Sequence, residues 1–195
     1  MGKQDVTMLT VSKVCHEIAN HLSIMKFLGE DLKNTDIYEV KELLRNADLL
    51  SCTADFFRSV YSVSGAVTSI FGTLLDLARL KEVTISDPND LLGRFQSPES
   101  QNMIAGLLYL VIKACKAKDV VSIVSPDIHT TWILATNRRF LPTAVNLAFS
   151  GDSQAEDIFN VFAMYIRGLA AASDYQIFVD TSDEETGHVI KVSSK

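Results

Sequence analysis

Two histidines, His16 and His21, stand five residues apart in KVCHEIANHLS at 13–23. A zinc-binding helix needs its histidines at i and i+4, so that both imidazoles share one face. At roughly 100° per residue, a spacing of five separates them by about 140°. Cys15 and Glu17 flank His16 but point away from it. This helix alone therefore makes a poor metal site, and no metal is assigned. The two histidines also differ from one another. Val11, Val14, Ile18, Leu22, Met25 and Leu32 recur at helical intervals and define an apolar stripe. His21 flanks that stripe, as a structural residue at a helix–helix seam does. His16 lies about 160° from Ile18 on the wheel, on the opposite side. Its neighbours there are Ser12, Lys13, Asn20, Ser23 and Phe27.

A lone imidazole in a polar stripe is, at its simplest, a solvated surface histidine. It is also what a phosphoryl carrier requires. The nucleophile must be neutral near pH 7, which an imidazole with a pKa of about 6.5 satisfies. It must also be reachable by a partner's active site. Lys13 and Asn20 lie one turn either side of His16. A cation and an amide there suit the oxygens of a phosphohistidine. Phe27 on the same stripe is either a docking anchor for a partner or a contact with the rest of the chain.

The elements that position this stripe follow from periodicity. The first helical run extends from Asp5 to Leu32. KNTD breaks it, and Asp36 is a helix N-cap candidate. A second run passes through Val40, Leu43, Ala47, Leu50, Ala54, Phe57 and Tyr61, then ends in SVSG. Two long antiparallel helices joined by a short loop make a hairpin. Such a hairpin leaves one side open, and dimerisation into a four-helix bundle closes it. After Gly65 the texture changes. VTSIFGTLLDLARL reads as a helix and EVTIS as a short strand stopped by DPND. SPESQNMIAGLLYLVIKACKA is a helix with a serine–proline start. DVVSIVS and TTWILATN are strands, AEDIFNVFAMYIRGLAAAS is a helix, and YQIFVDTSDEETGHVIKVSS is a hairpin with an acidic loop. The expected fold is α+β: a hairpin domain at 1–64 followed by an α/β domain at 65–195.

Composition narrows the function classes. Of the 195 residues, 47% are hydrophobic and 22% charged, as in a soluble protein with a sizeable core. The net charge of −6 argues against nucleic-acid affinity, which needs a basic surface. Three widely spaced cysteines, Cys15, Cys52 and Cys115, fit free thiols in a reducing compartment. No signal peptide is read at the N-terminus, and the most apolar run, MIAGLLYLVIKAC, is too short to span a bilayer. The expected location is cytoplasmic, with no membrane partner.

The sequence resembles a known family at several points. CHEIAN resembles the H-box of two-component histidine kinases, in which an acid follows the histidine. KVCHEI near the N-terminus, a second helix ending DFFRSVYSVSG, and a short α/β domain are similar to the ChpT-type histidine phosphotransferases of alphaproteobacterial phosphorelays. The likeness covers essentially the whole chain in element order, and Cys15-His16-Glu17 with Phe57-Arg58 and Gly65 is its strongest part. It implies a homodimeric four-helix bundle and an α/β-sandwich domain resembling a degenerate histidine-kinase ATP domain without ATP binding. It implies a phosphoryl group taken from a receiver aspartate of a hybrid kinase and passed to response regulators of the CtrA type. By that match His16 is the phospho-acceptor and Glu17 its acidic neighbour. The family often carries Asp at the position of Glu17, and proline five residues after the histidine, where His21 stands here.

The residues of the second domain point the same way. Kinase ATP domains of this type hold Mg²⁺ with asparagines on one helix. The matching positions here carry Tyr109 and Lys113, neither an amide ligand for a hard cation. FSGDS offers one glycine where close phosphate approach needs several. No intrinsic cofactor is expected, and the Mg²⁺ of the reaction belongs to the partner receiver. Glu17 orients the imidazole of His16 or is a solvated acid. Arg58 joins the receiver-docking surface or pairs with an acid of the first helix. An autophosphorylating kinase core and a non-catalytic receiver-binding adaptor are the alternatives to the shuttle.

Overall fold

The computed structural model describes residues 14, 17, 18, 20, 21, 23–25, 27, 28, 37–61, 68–87, 90–135, 149, 158–180 and 189–194. At 37, 39, 58, 61, 68, 69, 91, 158, 159, 180 and 189 it describes the backbone alone. The described residues between 14 and 28 are helical and are called α1. There follow α2 (Ile37–Tyr61), α3 (Thr68–Leu80), β1 (Thr84–Ser86), a 3-10 turn (Leu91–Arg94), α4 (Pro98–Ala114), β2 (Val120–Asp127), β3 (Thr130–Ala135), α5 (Ile158–Ala172), β4 (Tyr175–Asp180) and β5 (Val189–Ser194). The described chain is thus mixed helix and sheet. Asp36, the candidate cap of the second helix, lies outside the described residues.

The five strands form one sheet in the order β1-β2-β3-β5-β4. β1 runs parallel to β2, and α4 makes the crossover between them. The other pairings are antiparallel. Ile133 pairs with Ile123 on one side and Ile190 on the other, and all three are fully buried. Alternation puts these residues, with Val121 and Val192, on the face that meets the helices.

α4 is the central helix. Ser97 caps it, its Oγ accepting from Ser100 N at 3.1 Å, and Pro98 opens the first turn, where its missing N–H costs nothing. From Met103 to Ile112 every side chain is buried. A helix apolar on all sides must be covered on all sides. Gly106 brings α5 close: a Cβ there would lie 2.8 Å from Ile166 Cγ1. The far end of α4 is closed by Lys81, whose Nζ donates to the carbonyls of Ile112, Lys113 and Cys115 at 2.8, 3.0 and 3.0 Å. Those carbonyls stand at a helix C-terminus, where intrahelical donors run out and a cation suits the dipole; that of Ile112 also accepts from Cys115 N at 3.2 Å.

The end of α2 enters the same core. Phe56 stacks on Tyr109 at 4.7 Å between ring centroids, and Phe57 meets Phe162 edge-on at 5.2 Å. Each such aromatic pair is worth about 0.5–1.5 kcal/mol beyond the area it buries. The carbonyl of Val60, near the end of α2, accepts from Asn102 Nδ2 and Tyr165 Oη. Arg45 ties the middle of α2 to the end of α3, through the Leu80 carbonyl and Glu82.

Candidate functional site

α1 carries the candidate site, and its described residues divide cleanly by exposure. Val14, Glu17, Ile18, His21, Met25 and Leu28 are half-buried, whereas Asn20, Ser23, Ile24 and Phe27 are exposed. Val14 packs against the main core cluster. The exposed set falls on one side of the wheel, as a period of 3.6 requires of a helix lying on a body. Phe27 is 66% exposed, so its ring is not covered by the described part of its own chain. Ile24 adds a second exposed apolar side chain beside it. Of the sequence candidates, Ser12, Lys13 and His16 lie outside the described residues, and so does the side chain of Arg58.

Glu17 is neither solvated nor free to turn. Its side chain is 15% exposed, and its Oε1 lies 2.5 Å from Nζ of Lys113, itself 19% exposed. Glu17 Oε2 and, one turn on, His21 Nδ1 are buried without a hydrogen-bond partner among the described residues. His21 therefore stands at the inner flank of α1, facing the body of the molecule.

Lys113 has a second contact. Its ammonium lies 5.9 Å from the centroid of the Tyr109 ring, within cation–π range. Tyr109, 1% exposed, is stacked against Phe56. Tyr109 is thus an aromatic packed in the core, and Lys113 a cation committed to Glu17. An ammonium there repels a divalent cation rather than ligating it. Among the described residues no group of three or more His, Cys, Asp or Glu could hold a metal ion, and no helix is long and apolar enough to cross a membrane.

The Glu17–Lys113 pair escaped the sequence because its members are 96 residues apart. Its one local signal is a lysine in the last turn of an otherwise buried helix. A second feature without a sequence signal is a cavity of about 480 Å³ at the sheet edge, lined by Phe149, Arg167, Tyr175, Gln176 and Phe178.

No protein-family model matches the sequence, and no curated protein matches it. In fold, the chain is similar to a bacterial phosphotransferase solved at 1.7 Å, with a TM-score of 0.72 over 99% of this chain and 98% of that one. The two sequences are 16% identical, so the likeness is one of fold.

Proposed function

We propose that the protein is the histidine phosphotransferase of a phosphorelay. His16 takes a phosphoryl group from the aspartyl phosphate of a hybrid kinase's receiver domain. It then yields the group to receiver aspartates of response regulators, the CtrA type among them. The observation that carries this reading is the fold likeness to a bacterial phosphotransferase along essentially the whole chain. Two features support it. Asn20, Ser23 and Phe27, which the helical period of the sequence groups with His16, are exposed on α1. The α4 positions suited to Mg²⁺ in a kinase are occupied by Tyr109 and Lys113, which favours a carrier over an ATP-dependent kinase.

In the transfer, one ring nitrogen of neutral His16, Nε2 in this proposal, attacks phosphorus in line. The N–P bond forms as the aspartyl O–P bond breaks, and the carboxylate leaves with the bonding pair. Charge spreads over the equatorial oxygens, and the receiver's own Mg²⁺ and lysine neutralise it. Lys13 and Asn20 add donors beside the phosphohistidine. The proposal includes a homodimer in which residues 1–64 of two copies form a four-helix bundle, with residues 65–195 as an α/β domain that binds receivers and no nucleotide. Exposed Tyr38 and Leu44 on α2 are apolar surface that such a second copy would cover.

Incubation with a phosphorylated receiver domain tests the reading. The expected result is an acid-labile, alkali-stable label that His16→Ala abolishes. Label from radioactive ATP alone would make the protein a kinase. Relay output that survives His16→Ala would make it an adaptor.

A further inference from the structure

The inward face of α1 is tied to the body by two residues one turn apart, Val14 through the core and Glu17 through Lys113. Lys113 does not hang from a surface loop. It sits in the last turn of α4, beside the Tyr109 ring, and that ring is stacked on Phe56 of α2. Lys81, from the end of α3, holds the carbonyl of Lys113 itself. The ammonium is therefore presented to α1 from a fixed base made by three other helices. An apolar contact such as that of Val14 tolerates rotation of a helix about its axis. A close ion pair with both partners largely out of water does not, because breaking it strands two poorly hydrated charges. One residue of rotation is about 100°, enough to carry the exposed face of Asn20, Ser23 and Phe27 off toward the flank.

We propose that Lys113 is a positioning residue for phosphotransfer: through its ion pair with Glu17 it fixes the axial rotation of the phospho-acceptor helix against the α/β body. This rests on the function proposed above. It gives Glu17 the part of a handle on α1, in place of the part of orienting the imidazole of His16.

The test compares phosphoryl acceptance from a phosphorylated receiver by the full chain and by Lys113→Met, Lys113→Arg, Glu17→Gln and the charge swap Glu17→Lys/Lys113→Glu. Transfer is measured across receiver concentrations, with circular dichroism to establish folding. Misplacement of reacting groups by about 1 Å costs up to ~100-fold, so Lys113→Met and Glu17→Gln are expected to slow transfer at saturating receiver about tenfold with little change in KM. Lys113→Arg keeps most of the rate, and the swap restores most of what each single change removes. If Lys113→Met does not fold, Glu17→Gln and the swap carry the same comparison. Wild-type rates in the folded single variants, or a swap as slow as they are, would overturn the inference while leaving the phosphotransferase reading intact. A wild-type chain that takes no label overturns both.

Discussion

Gly106 sets the distance between α4 and α5, and Gly106→Ala makes that distance measurable. The added methyl would lie 2.8 and 2.9 Å from Ile166 Cγ1 and Cδ1, and 3.4 Å from Phe162 Cζ. Carbon atoms sit comfortably at about 3.5–4.0 Å, so the first two contacts are short by more than half an ångström. Ile166 and Phe162 are both buried, so neither can simply swing into solvent. Overpacking of this kind costs about 1–3 kcal/mol. Against it stands the helix propensity of alanine over glycine, a gain of about 1 kcal/mol. The net expectation is a loss of roughly 1 kcal/mol, or about 2–4 °C in Tm for a chain of this length. A control background separates the two terms. Ile166→Ala removes both clashing atoms and leaves a cavity that an alanine at 106 partly fills. In that background Gly106→Ala should stabilise by about 1 kcal/mol or more, so its effect changes sign. Urea titration of the four proteins measures the cycle. Equal effects of Gly106→Ala in both backgrounds would refute the close approach of the two helices. Lys113 lies two turns further along α4, so a shift in this packing also displaces the residue proposed to hold α1.

Two further predictions concern single side chains. Lys81→Met removes the ammonium shared by three carbonyls at the end of α4; hydrogen bonds from charged donors are worth about 1.5–3 kcal/mol each but share one cation here, so a loss of about 2 kcal/mol by urea titration is expected. An unchanged midpoint would mean that water replaces those bonds at no cost. Burial, reinforced by Asp76, Asp48 and Asp55, pushes the Cys52 thiol above its usual value of 9.0. Its alkylation by iodoacetamide should therefore reach half-maximal rate above pH 9.0 in the folded protein and at 9.0 in urea. By linkage, the unfolded chain gives up this proton first, so the contribution of Cys52 to stability is complete below pH 9.0 and is lost as pH rises through the folded value.

Much of this molecule is written locally. The serine–proline pair at 97–98, the apolar periods of α2 to α5 and the short β-branched runs of the sheet each act within one turn or one strand repeat, and the structure places those elements where the pattern asks for them. The exposed side of α1 is legible in the same way, because a 3.6-residue period decides which residues share a face whatever the body behind them; Asn20, Ser23 and Phe27 obey it. Partners across long loops are a different matter. No local pattern says that β5 inserts between β3 and β4, since the β3–β5 pairing joins strands far apart in the chain. The same holds for Phe56 and Phe57, whose rings look like ordinary members of a helical stripe yet pack between α4 and α5. It holds most of all for Glu17. Sequence leaves it as the acid beside a histidine, and only the approach of α4 turns it into half of an ion pair, because an ammonium and a carboxylate excluded from water find the nearest opposite charge regardless of how much chain lies between them.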